Sequence, residues 1–126
     1  MLSITSHGLH WRNNLFNKTD ENSLLNDEDT KLLEKAKGIY VLEYNFIPIY
    51  IGKAEISILK RLEKHNKNHH KGRWDMFSWF VVQETDDKVI LKDNLENMES
   101  LCITIMEPRL NGQTKFKKLG IRMYQK

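Results

Sequence analysis

Two phenols, a guanidinium, an imidazole, a carboxylate and a carboxamide occur along this 126-residue chain at intervals that simple secondary structure would gather. Tyr40 and Tyr50 belong to two mirror-image tripeptides, Gly38-Ile39-Tyr40 and Tyr50-Ile51-Gly52, and nine residues separate the phenols. Arg61 and His65 follow four apart, which puts both on one face of a helix. Glu99 sits beside an apolar stripe of helical period, and Asn111 comes three residues after Pro108. Such side chains can hold an anion and move a proton. The same tyrosines are also ordinary sheet formers, so an aromatic hairpin without chemistry stands as the competing account.

The elements that would position these groups can be read from periodicity. Gly38 to Tyr44 and Ile49 to Ile51 read as two strands, with Asn45 to Pro48 supplying the turn and Pro48 confined to a strand start or sheet edge. If they pair as a hairpin, Tyr40 and Tyr50 project from one face. A helix is expected over about 57–67, with Ile58, Leu59 and Leu62 inward, and a buried strand over 74–82. Leu91, Leu95, Met98, Cys102 and Ile105 form the stripe of a last helix that Pro108 ends. Upstream, residues 1–25 show little periodicity, although Trp11, Leu15 and Phe16 point to packing on the domain or on a partner. A short helix near 27–36 follows, acidic at its start and basic at its end. The expected fold is α/β: a small, three-stranded, mainly antiparallel sheet flanked by helices, with an extension over 1–36 and the domain over 37–126.

At 126 residues one domain is the natural count. The single cysteine, Cys102, excludes a disulfide framework and a zinc site built on several thiolates, and it suits a reducing compartment. No apolar run is long enough to span a bilayer, and no signal segment opens the chain, so a cytoplasmic protein is expected. The net charge of +3 is unevenly spread: residues 1–36 carry −2 and residues 37–126 carry +5. Two basic patches suggest a polyanionic partner, of which nucleic acid is the commonest. Lys64, Lys67, His69, His70, Lys71 and Arg73 make one patch, and Lys115, Lys117 and Lys118 belong to the other. His65 and His69 are one helical turn apart, but zinc needs three or four ligands and the only thiol is distant in sequence.

The spans "GIY", "YIGKA", "LKRLEKH" and "NMESLCITIMEPRLN", in this order, resemble the GIY-YIG nuclease domain. The resemblance covers residues 38 to about 112 and rests on Tyr40, Tyr50, Arg61, Glu99 and Asn111 as an ordered set. His65 matches a position where restriction-type members carry a histidine. What the resemblance implies is a metal-dependent endonuclease that hydrolyses DNA phosphodiester bonds with one divalent ion, Mg2+ or Mn2+. Glu99 would be the metal ligand, since Mg2+ keeps most of its waters and takes few protein oxygens. Arg61 would brace charge on the phosphate. Tyr40 would serve as general base once nearby positive charge lowered its pKa, with Tyr50 orienting water or phosphate. Lys53 and His65 would assist, and Asn111 would support the backbone or metal waters. Glu96, one turn before Glu99, is the nearest alternative ligand but lacks the matching twelve-residue step to Asn111. A non-catalytic nucleic-acid-binding module on the same fold is the alternative, and a homodimer or protein partner would engage the N-terminal extension.

Overall fold

The computed structural model describes residues 4–12, 27–67, 73–83, 85–108 and 110–111. Its elements run β1 (Ile4–Arg12), α1 (Asp27–Lys35), β2 (Gly38–Tyr44), β3 (Ile47–Ala54), α2 (Ile58–Lys67), β4 (Met76–Val82) and α3 (Lys88–Met106). The strands form one sheet in the order β1-β4-β2-β3, and every neighbouring pair is antiparallel.

The sheet therefore has four strands, not three. The added strand is β1, in the segment whose sequence shows no clear alternation. It sits at the sheet edge and exposes most of its side chains, so the apolar signal of a buried strand is missing. Its anchor is Trp11, which meets Trp79 edge to face at 5.1 Å between ring centres. A polar tie reinforces it. The His10 backbone N–H donates to Ser78 Oγ at 3.0 Å, and His10 Nδ1 lies 3.0 Å from the buried Glu43 carboxylate.

The β2–β3 hairpin turns more tightly than expected. Tyr44 pairs with Ile47, so only Asn45 and Phe46 form the loop, both with positive φ (50° and 69°). Two left-handed residues match the twist of the flanking strands. Pro48 then falls inside β3, which is an edge strand, at a register shift that leaves Ile49 as the extra residue. An edge bulge is where a strand tolerates proline.

Two glycines are set by space. A Cβ on Gly38 would lie 1.9 Å from the Phe80 carbonyl oxygen, because β2 and β4 approach closely there. A Cβ on Gly52 would lie 2.2 Å from Tyr40 Oη and 2.3 Å from Cζ. Tyr40 pairs directly with Gly52, and its ring lies across the glycine.

Helices α1 and α2 cover the sheet face that carries Tyr40, Leu42 and Phe77, with Leu33 and Leu62 packed among them. Helix α3 covers the other face, where Leu91, Leu95 and Ile103 meet Ile39, Val41 and Ile51. The apolar stripe read from sequence departs from this at one end. Met98 and Cys102 are partly buried, whereas Ile105 is 71% exposed and Ile103 takes the buried place. Asp87 caps the start of α3 by accepting from Val89 and Ile90 N–H. Glu107, left-handed at φ 47°, ends it before Pro108. No helix among the described residues is long and apolar enough to cross a membrane.

Candidate active site

A cleft of about 590 Å³ opens beside β3 between α2 and α3. Strand β3 contributes Tyr50 and Lys53, the loop after it Glu55, Ile56 and Ser57, helix α2 Lys60, Arg61 and Lys64, and helix α3 Glu99. Residues distant in sequence meet here because β3 is an edge strand, with α2 packed on one face of the sheet and α3 on the other.

The two phenols and His65 cluster beside the cleft with their rings tilted to one another. Ring centres are 6.3 Å apart for Tyr40 and Tyr50, 5.4 Å for Tyr40 and His65, and 4.8 Å for Tyr50 and His65. Tyr40 Oη lies 2.6 Å from His65 Nε2, a short buried hydrogen bond. Tyr40 itself is fully buried and does not line the cleft, whereas Tyr50 does. Burial pushes the Tyr40 phenol well above its ordinary value, Tyr50 adds to this, and the neighbouring Arg61 charge pulls less strongly the other way. Among the chain's own groups, desolvation outweighs the lowering by the Arg61 charge. The phenol O–H can donate to Nε2 or its oxygen accept from Nε2–H, according to the imidazole tautomer.

Arg61 reaches the same place from α2. Burial opposes its charge, but Tyr40, Tyr50 and Glu99 outweigh that and hold its pKa above the ordinary value. Its Nε–H is buried with no acceptor among the described residues. Such a donor is costly unless a further acceptor arrives.

Glu99 is partly buried on the α3 wall. Burial raises its pKa, while the Lys53 and Arg61 charges and the Lys53 backbone N–H act against that rise. A partly desolvated carboxylate beside phenolic oxygen offers hard donors, which suit a water-rich divalent ion. Among the described residues no group of three His, Cys, Asp or Glu side chains could hold a metal. The oxygen donors suit a hard divalent cation and not a zinc cage.

Lys53 is engaged by acids instead of pointing at a phenol. Its Nζ donates to Glu96 Oε1 at 2.8 Å and lies 3.2 Å from Glu55 Oε1. Burial alone would lower its pKa, but Glu96 and Glu55 outweigh that and raise it. Glu96, the alternative ligand by sequence, thus faces Lys53. Asn111 grips the backbone of β3: Ile51 N–H donates to its Oδ1 at 2.7 Å, and its Nδ2 donates to the Ile51 carbonyl at 2.7 Å. With the Leu110 N–H on the Ile49 carbonyl, this covers the strand edge that carries Tyr50 and Gly52.

Of the expected nucleic-acid contacts, Lys64 lines the cleft and Arg73 is exposed. The Lys67 side chain, His69, His70, Lys71, Lys115, Lys117 and Lys118 lie outside the described residues. Trp74 is 2% exposed and belongs to the core. Sequence reasoning passed over Lys60. Its position four residues before Lys64, on the helix that carries Arg61, was the available signal.

No family model matches the chain, and no curated protein does. Among solved structures, the chain is similar to the GIY-YIG N-terminal endonuclease domain of UvrC from Thermotoga maritima, in point mutants bound to their catalytic divalent cation. One has 20% identity and a TM-score of 0.48, covering 71% of this chain and all of that domain. A second has 18% identity and a TM-score of 0.48 over the same shares.

Proposed function

We propose that this protein is a GIY-YIG-type endonuclease that hydrolyses DNA phosphodiester bonds with one divalent ion, Mg2+ or Mn2+. The observation that carries this is one cleft lined by Tyr50, Arg61 and Glu99, with the Tyr40–His65 hydrogen bond behind it. Cations and the Glu99 carboxylate converge there, with Glu55 paired to Lys53, as phosphate and a water-rich metal would require.

Glu99 would hold the metal, which when bound polarises the scissile phosphate and steadies the leaving 3′ oxygen. The remaining work falls to the chain's own groups. Arg61 offers its planar fork to the non-bridging oxygens, and Nε–H gains an acceptor when phosphate enters. Lys60 and Lys64 add positive charge along α2 and guide the backbone into the cleft. Tyr50, the phenol that reaches the cleft, orients the attacking water through its oxygen. His65, its ring tilted against Tyr50 with centres 4.8 Å apart, backs that phenol. Tyr40 is a positioning residue: its phenol fixes the imidazole through Nε2 and does not touch substrate. Asn111 holds the β3 backbone on which Tyr50 rides.

The test is cleavage of supercoiled plasmid by the wild type, Glu99→Ala and Glu96→Ala, each with Mg2+, Mn2+ or chelator. Metal-dependent nicking or linearisation that is lost in Glu99→Ala and kept in Glu96→Ala is expected. Salt-sensitive DNA binding without cleavage in any condition would overturn the enzyme and favour a binding module.

A further inference from the structure

Ile56 stands at the rim of the cleft and is 76% exposed, the highest value among the large apolar side chains of the described residues. An isolated surface isoleucine is unremarked in most proteins. This one differs in how its backbone is held. Ala54 before it is 1% exposed, and Ser57 and Ile58 after it are 2% and 0% exposed. The Ile58 N–H donates to the Ala36 carbonyl at 2.9 Å, and Ser57 Oγ accepts from Lys60 N–H at 3.2 Å. Ile56 therefore cannot fold back into the core without breaking these anchors. Its side chain is presented to solvent between anchored neighbours.

Its neighbours on the cleft wall are Lys53, Lys60, Arg61 and Lys64, with Glu55 beside it already paired to Lys53. A fixed apolar side chain among cations would disfavour a small hydrated anion, but it suits a polymer that pairs phosphates with stacked apolar bases. Apolar wedges of this type enter between base steps, unstack them and kink the duplex.

We infer that Ile56 is a specificity-determining wedge, inserted into the base stack beside the scissile phosphate, and that the preferred substrate is duplex DNA with a weakened step there. This rests on the DNA-cleaving assignment of the same cleft. Flexible pyrimidine–purine steps, mismatches and nicks resist such insertion least. The site of distortion and the site of cutting would then be one place.

The experiment uses the full chain with wild-type Ile56, Ile56→Leu and Ile56→Ser, plus Val89→Ser as an exposed apolar control on α3. Each is bound, in chelator, to a paired duplex and to one with a single mismatch, both carrying a fluorescent adenine analogue that brightens on unstacking. The same duplexes are then cleaved with Mg2+. Wild type, Ile56→Leu and Val89→Ser should brighten the analogue, and Ile56→Ser should not. Preference for the mismatched duplex should fall on the order of ten-fold in Ile56→Ser, the worth of burying such a side chain. Equal brightening and equal preference in Ile56→Ser would overturn the wedge while leaving cleavage standing. Binding without brightening in the wild type would do the same. Brightening without cleavage would keep the wedge and overturn the hydrolase, and no binding to either duplex would overturn both.

Discussion

Gly52→Ala tests the packing that holds the site together. The glycine's role here is room: an added Cβ would lie 2.2 Å from Tyr40 Oη and 2.3 Å from Cζ, where ordinary contact begins near 3.4 Å. The ring would have to retreat by more than an ångström. It has nowhere to go, since Tyr40 is fully buried and its hydroxyl is bound to His65 at 2.6 Å. Overpacking of this type costs about 1–3 kcal/mol. Loss of the phenol–imidazole hydrogen bond adds ~0.5–1.5 kcal/mol. Gly52→Ala should therefore lose ~2–4 kcal/mol, which for a domain of this size lowers the melting midpoint by roughly 10 °C. Urea unfolding followed by circular dichroism measures it. The decisive arm is a double-mutant cycle with Tyr40→Val, which removes the ring: the cost of Gly52→Ala should then shrink by at least ~1 kcal/mol. An unchanged cost in the Tyr40→Val background would refute the clash as the cause.

Two further outcomes follow from the same geometry. Asn111→Asp keeps an acceptor for the Ile51 N–H but sets a carboxylate against the Ile51 carbonyl, so it should destabilise by about 1–3 kcal/mol in urea; stability equal to wild type would show that the second hydrogen bond contributes nothing. Tyr40 has a pKa raised above that of an unfolded phenol, so its contribution is complete below pH ~10 and is lost as pH rises beyond that toward the folded value. Ultraviolet absorbance should show one phenol ionising only as the fold opens, and Tyr40→Phe should lose less stability than wild type above that pH; four phenols titrating together in the folded protein would contradict it.

The positions of the chemistry were legible because their signals are local. Four-residue spacing on α2 and the alternation of β2 and β3 are properties of short segments; in the structure Tyr40 and Tyr50 lie side by side on the sheet, and Arg61 and Glu99 line one cleft. The helix stripe failed only at Ile105, where the helix runs past what it covers. Strand β1 escaped notice because an exposed edge strand carries polar residues, and its membership depends on Trp79 and Ser78, some seventy positions away.

Residue types, their order and the local periods are properties of the sequence, because periodicity acts over a few residues at a time; what crowds Gly38 and Gly52 is set by strand pairing. Which phenol meets solvent was decided only in three dimensions. Tyr40 and Tyr50 look interchangeable in the chain, yet β2 is interior to the sheet and β3 lies at its edge. That one difference buries Tyr40 and raises its pKa, leaving Tyr50 on the cleft wall. The partners of Lys53 are a tertiary outcome for the same reason: charge pairing depends on distance in space, and Glu96 lies 43 positions away in the chain but 2.8 Å away in the fold.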